Sequence, residues 1–256
     1  MFSPFDLPPG ILLLVTDQLS SPADFVLHHS LIDHLKGTRS SAKSTSITAN
    51  PKKPKVIVLA VSEDLARWKS IASKSNVHLD QQGSAFVFVN VLQRVPPPNN
   101  VSPTEPVLRP ILDTVVSALG ADEEMDTLVI VDDLAVLEWL GFSVPDIIRF
   151  VRALYAACRK AGATLLIRQH VLTPPSTDPL VDDLFRHLRQ ICTYHVEVLP
   201  LASGRSGAVS GQVALHTGPG VPRGGVKLLS RTAALQYKLT DGGAVFFERG
   251  TGAGVL

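Results

Sequence analysis

The sequence predicts an α/β protein built in three layers, αβα, with helices on both faces of a mostly parallel central sheet and an antiparallel hairpin at its C-terminal end. Three observations predict it. The apolar, largely β-branched or leucine-rich runs at 11–15, 56–61 and 128–131 are too short for helices and too unbroken for half-exposed strands, which is the composition of strands buried on both faces of a parallel sheet. Between them, apolar residues recur at helical spacing, so strand and helix alternate through most of the chain. From Thr193 the pattern changes to short strands separated by glycine-rich turns. Asp241-Gly242-Gly243 between the last two is a hairpin signal, because glycine adopts positive φ without steric cost.

The totals are compatible with one domain spanning 1–256. With 45% hydrophobic and 18% charged residues, a chain of 256 residues can bury a full core. A net charge of +1 argues against a general polyanion-binding surface, so any nucleic-acid contact must come from local clusters. The two cysteines, Cys158 and Cys192, fall in predicted helices and read as small buried hydrophobes of a reducing compartment. Neither a metal nor a cofactor is expected. The first ten residues lack the basic start and apolar core of a signal peptide, and no apolar run approaches the roughly 18 residues that span a bilayer. The expectation is a soluble chain of the cytoplasm, with the nucleus as a second compartment, and without membrane contact.

Strand 11–15 leads into Thr16-Asp17-Gln18-Leu19-Ser20-Ser21-Pro22-Ala23-Asp24. Ser21, Pro22 and Asp24 spell a helix start, and the helix should run to about Lys36. A loop between a first strand and a first helix is where a phosphate-binding P-loop would sit, yet this one has no glycine and no lysine. Asp17 and Asp24 also place negative charge beside the positive end of the helix dipole. The loop reads as a capped turn unable to hold a nucleotide phosphate in the usual way.

Residues 37–55 are rich in serine and threonine, contain Arg39, Lys43, Lys52, Lys53 and Lys55, and have no acidic residue. They read as a flexible, solvated insertion. Lys52 and Lys53 are candidate RNA contacts, and Lys52-Lys53-Pro54-Lys55 is a weak nuclear-import signal. Strand 56–61 is followed by a helix over 63–75 with Leu65, Trp68, Ile71 and Ala72 on one face, then by a strand over 85–92. Residues 93–106, dense in proline and asparagine, form a second flexible insertion before a helix over 107–119.

The central strand ends in Asp132-Asp133. In open α/β sheets ligands bind at the carboxyl ends of the strands, and an apolar strand tipped with acid is how nucleoside triphosphatases hold magnesium and polarise water. The structural alternative is that Asp133 caps the following segment while Asp132 bonds backbone amides of a neighbouring loop. Beyond it, Ser143-Val144-Pro145-Asp146 starts a helix whose apolar stripe includes Ile147, Val151 and Leu154. Strand 163–167 ends in Arg168-Gln169-His170, and a helix over 179–191 shows Arg186, His187 and Arg189 outward. Arg168, His170, Arg186 and Arg189 join the candidate RNA contacts, set against an ordinary role as solvating surface charges. His28, His29 and His34 lack the i, i+4 spacing of a helical zinc site, and no serine sits in a nucleophile elbow.

Parallel strands with alternating helices, an aspartate-tipped central strand and an antiparallel end resemble the RecA-type ATPase core. More narrowly, the chain resembles the Elongator complex protein six family. The matching residues are Leu12-Leu13-Leu14-Val15-Thr16-Asp17 leading into Phe25-Val26-Leu27-His28-His29, then Val129-Ile130-Val131-Asp132-Asp133-Leu134-Ala135-Val136-Leu137 with Leu140-Gly141, then Leu235-Gln236-Tyr237-Lys238-Leu239 with Val245-Phe246-Phe247 and Gly254-Val255-Leu256. They span nearly the whole chain in order.

The resemblance implies a P-loop-less, non-catalytic subunit of a hexameric ring in which Elongator subunits four, five and six each occur twice. It implies that the ring binds tRNA and supports wobble-uridine modification by the catalytic Elongator subcomplex. Asp132 and Asp133 would then be vestigial nucleotide-site carboxylates. Insertions 37–55 and 93–106 carry no part of the resemblance. The competing expectation is an ATPase whose site is shared across ring subunits.

Overall fold

A computed structural model of the chain describes residues 7–37, 52–94, 108–120, 125–171, 183–201, 204, 209–219, 221, 226–240 and 243–249. In chain order the elements are β1 (Leu12–Asp17), α1 (Asp24–Leu35), β2 (Lys53–Ala60), α2 (Leu65–Lys74), β3 (Phe86–Asn90), α3 (Val91–Arg94), α4 (Arg109–Leu119) and β4 (Met125–Val131). They continue with α5 (Ala135–Trp139), α6 (Val144–Lys160), β5 (Thr164–His170), α7 (Asp183–Ile191), β6 (Tyr194–Leu199), β7 (Gly211–Thr217), β8 (Leu235–Thr240) and β9 (Gly243–Phe247).

All these strands join one sheet in the order β3-β2-β4-β5-β1-β6-β7-β8-β9. From β3 to β6 every neighbouring pair is parallel, and from β6 to β9 every pair is antiparallel. The unbroken apolar runs have a simple cause. Successive side chains of a strand point to opposite faces, and both faces are covered here: Leu13 and Val15 pack with Val26 and Leu27 of α1 and Trp68 of α2, whereas Leu12 and Leu14 pack with Ile111 of α4, Val151 of α6 and Leu188 of α7. Trp68 is fully buried and stands edge-on to His28, with ring centroids 4.5 Å apart. At the antiparallel end Phe25 of α1 meets Tyr237 of β8 at 4.6 Å, which ties the first helix to the last strands.

Several boundaries differ from the sequence expectation. Lys53 to Lys55 belong to β2, pairing with Met125 to Thr127, because the ladder extends the strand past its apolar stretch. For the same reason β5 continues through Arg168, Gln169 and His170 alongside Val15, Thr16 and Asp17. The strand expected over 85–92 stops at Asn90, whose side chain accepts a bond from the Gln93 amide as α3 turns away. Ser143 caps α6 as expected, accepting from the Asp146 amide. Ser21 does not cap α1. Its hydroxyl is bonded to Tyr237, and Asp17 Oδ2 instead accepts from the Ala23 amide at 2.6 Å. The core of the 37–55 insertion, most of 93–106, the turn residues Asp241 and Gly242, and Gly254-Val255-Leu256 lie outside the described residues.

Candidate functional site

The carboxyl ends of β1, β4 and β5 meet the start of α1, and each brings a charged residue to the same place. Asp17 ends β1 and is wholly buried. Asp132 and Asp133 follow β4, also buried, and Arg168 and His170 lie in the last three positions of β5. Asp24 is the first residue of α1. In α/β sheets of this kind that edge is the ligand edge.

The charges there engage one another. The Arg168 guanidinium is paired with Asp24 through one terminal nitrogen and with Asp133 Oδ2, at 3.3 Å, through the other. His170 Nδ1 lies 2.5 Å from Asp17 Oδ1, and its Nε2 lies 3.3 Å from Asp133 Oδ2. Asp133 Oδ1 accepts from the Ala135 amide at 3.1 Å, two residues on, in the turn that leads into α5. Asp132 accepts from the amides of Val61 (2.6 Å), Ser62 (3.2 Å) and Glu63 (2.9 Å), fixing the loop after β2. The Asp132 bonds are the structural role weighed from the sequence; Asp133 does not cap the next helix but bonds the amide two residues on and pairs with Arg168.

Burial sets the electrostatics. It raises the Asp132 carboxyl above the usual range against the three amide bonds that lower it. It lifts Asp133 to about 7, with His170 opposing and the Asp132 and Asp17 charges adding to the rise. It lowers the Arg168 guanidinium, which Asp17 partly offsets. Trp139 closes the outer side. Its ring stacks parallel to His170 at 6.1 Å while remaining 60% exposed.

A phosphate at this edge needs free amides at a helix start and an uncommitted cation. Here the Ala23 amide is taken by Asp17, and Arg168 is flanked by carboxylates of the chain itself. The arrangement can hold the edge together, and among the described residues it leaves Arg168 committed to carboxylates of the chain.

The sequence candidates therefore separate. Arg168 is 3% exposed, so its expected role as an outward RNA contact is corrected: it faces the α1 side of the sheet, where Asp24 and Asp133 draw it inward. His170 is turned inward in the same way, with its side chain 12% exposed. Arg186 and Arg189 are exposed on α7. Lys52 and Lys53 are exposed at the opposite, amino edge, where β2 begins. No single surface brings all six together. Among the described residues, no cluster of three or more His, Cys, Asp or Glu is placed to hold a metal. Both cysteines are unpaired and buried, with their thiols pushed up to about 12 (Cys158) and about 11 (Cys192) by burial.

A second cluster had no sequence signal. On the far face of β6 and β7, Glu197 accepts from Arg231 twice (2.8 and 2.5 Å) and contacts His216 Nε2 at 3.1 Å. Next to it, buried His195 shares a 2.6 Å bond with Thr16 and is held neutral, its pKa lowered to about 3 by burial.

Fold and edge geometry define a RecA-like α/β domain: three layers, a mostly parallel sheet and antiparallel C-terminal strands. Among solved structures the chain is similar to a KaiC-like protein from the hyperthermophilic archaeon Pyrococcus horikoshii OT3, with a TM-score of 0.61 at 9% identity, covering 94% of this chain and 91% of that one. At that identity the likeness is one of fold. No protein-family model and no curated protein matches the sequence. No helix among the described residues is long and apolar enough to cross a membrane.

Proposed function

We propose that this chain is a non-catalytic RecA-like subunit of the hexameric Elongator accessory ring, standing beside subunits four and five, each present twice. In that ring it serves tRNA binding, while wobble-uridine modification is carried out by the catalytic Elongator subcomplex. The family likeness supplies the ring. The observation that carries the non-catalytic part is the carboxyl edge, where Asp24, Arg168 and Asp133 form an internal ion-pair chain across the place a nucleotide phosphate would need.

The test is assembly. Purified chain mixed with subunits four and five should move, by light scattering, to the mass of a six-membered ring, and should hydrolyse no ATP alone. Failure to join them refutes ring membership; ATP turnover at an enzymatic rate that is lost in Asp132→Ala refutes the scaffold reading.

The alternative, an ATPase site shared between subunits, rests on the position of Asp132 and Asp133. Their commitments to backbone amides and to Arg168 weigh against it. Asp133→Asn is the informative substitution, since Asp132 also holds the loop after β2. If the assembled ring binds nucleotide equally well with and without Asp133→Asn, Asp133 contributes nothing to such a site.

A further inference from the structure

The helical layer on the α4, α6 and α7 face ends at α7, and beyond it the sheet continues into β7. A groove of about 420 Å³ opens between α7 and the β6–β7 face. That volume falls in the range of small-molecule sites, about 300–1,000 Å³. Its wall is the α7 face carrying Phe185, Arg186 and Arg189, and its floor is formed by His195 and His216.

Charge and shape in this groove point to one ligand chemistry. Arg186 and Arg189 are three residues apart and so project from neighbouring positions of one helix face. Both are exposed, and among the described residues neither has a carboxylate partner. Arg189 lies over the Phe185 ring, 5.7 Å from its centroid, which restrains the guanidinium at the rim. No acidic residue lines the groove. Behind the floor, the Glu197 carboxylate is held by Arg231 and His216. The groove offers rings against which a base can pack: Phe185 on the wall meets His195 edge-on at 5.8 Å, and His195 on the floor lies 5.5 Å from the tilted ring of His216.

We propose that this groove binds a phosphorylated, ring-bearing ligand of mononucleotide size, with the phosphate between Arg186 and Arg189 and the ring over the His216 side of the floor. The ligand is either a free nucleotide or the terminal nucleotide of an RNA strand. Guanidinium groups recognise phosphate by paired charge-assisted hydrogen bonds, and aromatic or imidazole surfaces accept a base by stacking.

The full-length chain is titrated by calorimetry or NMR with uridine 5′-monophosphate, with uridine, with inorganic phosphate and with a ten-residue oligouridylate carrying a 5′-phosphate. Uridine 5′-monophosphate should bind, and Arg186→Gln with Arg189→Gln should weaken it at least tenfold. Uridine should bind at least tenfold more weakly than the monophosphate. The double variant changes only exposed side chains, and an unchanged melting temperature confirms that it is folded. Tighter binding of the oligomer than of the monophosphate identifies RNA as the source; equal or weaker binding identifies a free nucleotide. No binding of the monophosphate, or binding untouched by the double substitution, overturns the site. Inorganic phosphate binding as tightly as the monophosphate overturns the ring-binding half. The result is independent of ring membership: a chain that assembles with subunits four and five but ignores the monophosphate loses this site and keeps its proposed function.

Discussion

Arg168 is buried between two carboxylates, those of Asp24 and Asp133. Removing one partner of a buried ion pair leaves its carboxylates without compensation, at a cost of about 3–5 kcal/mol. Arg168→Met should therefore lower unfolding stability in urea by that order above pH 7, where Asp133 is ionised, and a neutral result there would mean that Asp24 and Asp133 are solvated after all. His195 makes a prediction in pH. Its folded pKa, about 3, lies below the unfolded value of 6.5, so the unfolded chain takes up the proton first. The stability due to neutral His195 is present above pH 6.5 and is lost as pH falls towards 3, at about 1.4 kcal/mol per unit. Glu197, lowered to about 2, adds to the loss below pH 4.5. Asp133 acts in the opposite sense, gaining stability as pH falls from about 7 to 3.8. His195→Gln separates these effects: its melting temperature should fall less steeply than the wild type's between pH 6.5 and 4.5. Parallel curves would remove His195 as the cause.

Among the elements, the joint between the first turn and β8 is the most informative. Ser21 and Tyr237 share a buried 2.9 Å hydrogen bond, so Ser21→Ala and Tyr237→Phe should each cost about 1 kcal/mol. Their combination should cost clearly less than the sum in a double-mutant cycle; strict additivity would show that the bond contributes nothing. Ser143, which does cap its helix, should cost about 1 kcal/mol as Ser143→Ala, read from the same urea titration. The contrast shows what local sequence can carry. Ser143 and Ser21 stand in the same serine, proline and aspartate context, yet Tyr237, more than two hundred positions away, takes one of them. The buried strands were legible because two covered faces require uninterrupted apolar runs. Their polar ends, Lys53 to Lys55 and Arg168 to His170, were not, since ladder pairing extends a strand without regard to hydropathy. The acids at the start of α1 were visible as hostile to phosphate. Their partner was not, because only the adjacency of β1 and β5 brings Arg168 to Asp24, and adjacency leaves no mark in a single sequence.

For the whole molecule, the expectation follows from the closed carboxyl edge. A ligand that binds only the folded chain raises its melting point, so millimolar ATP with magnesium should leave the melting temperature of the Arg186→Gln, Arg189→Gln variant, whose α7 groove is disabled, unchanged; an upward shift abolished by adding Arg168→Met would point to nucleotide held at that edge. Trp139 gives a second readout. It is 60% exposed over the capped His170, and its fluorescence should change on mixing with subunits four and five if the ring packs across this edge.

The chain of Asp24, Arg168 and Asp133 also bears on timing. Where first helix and fourth strand are bridged by a consumable fuel molecule, the bridge exists only while fuel is bound, and geometry follows the turnover cycle. Here the bridge is made by the chain's own side chains and needs no bound molecule. In the ring proposed above, such a component would be a fixed spoke in a wheel, supplying shape at a constant setting.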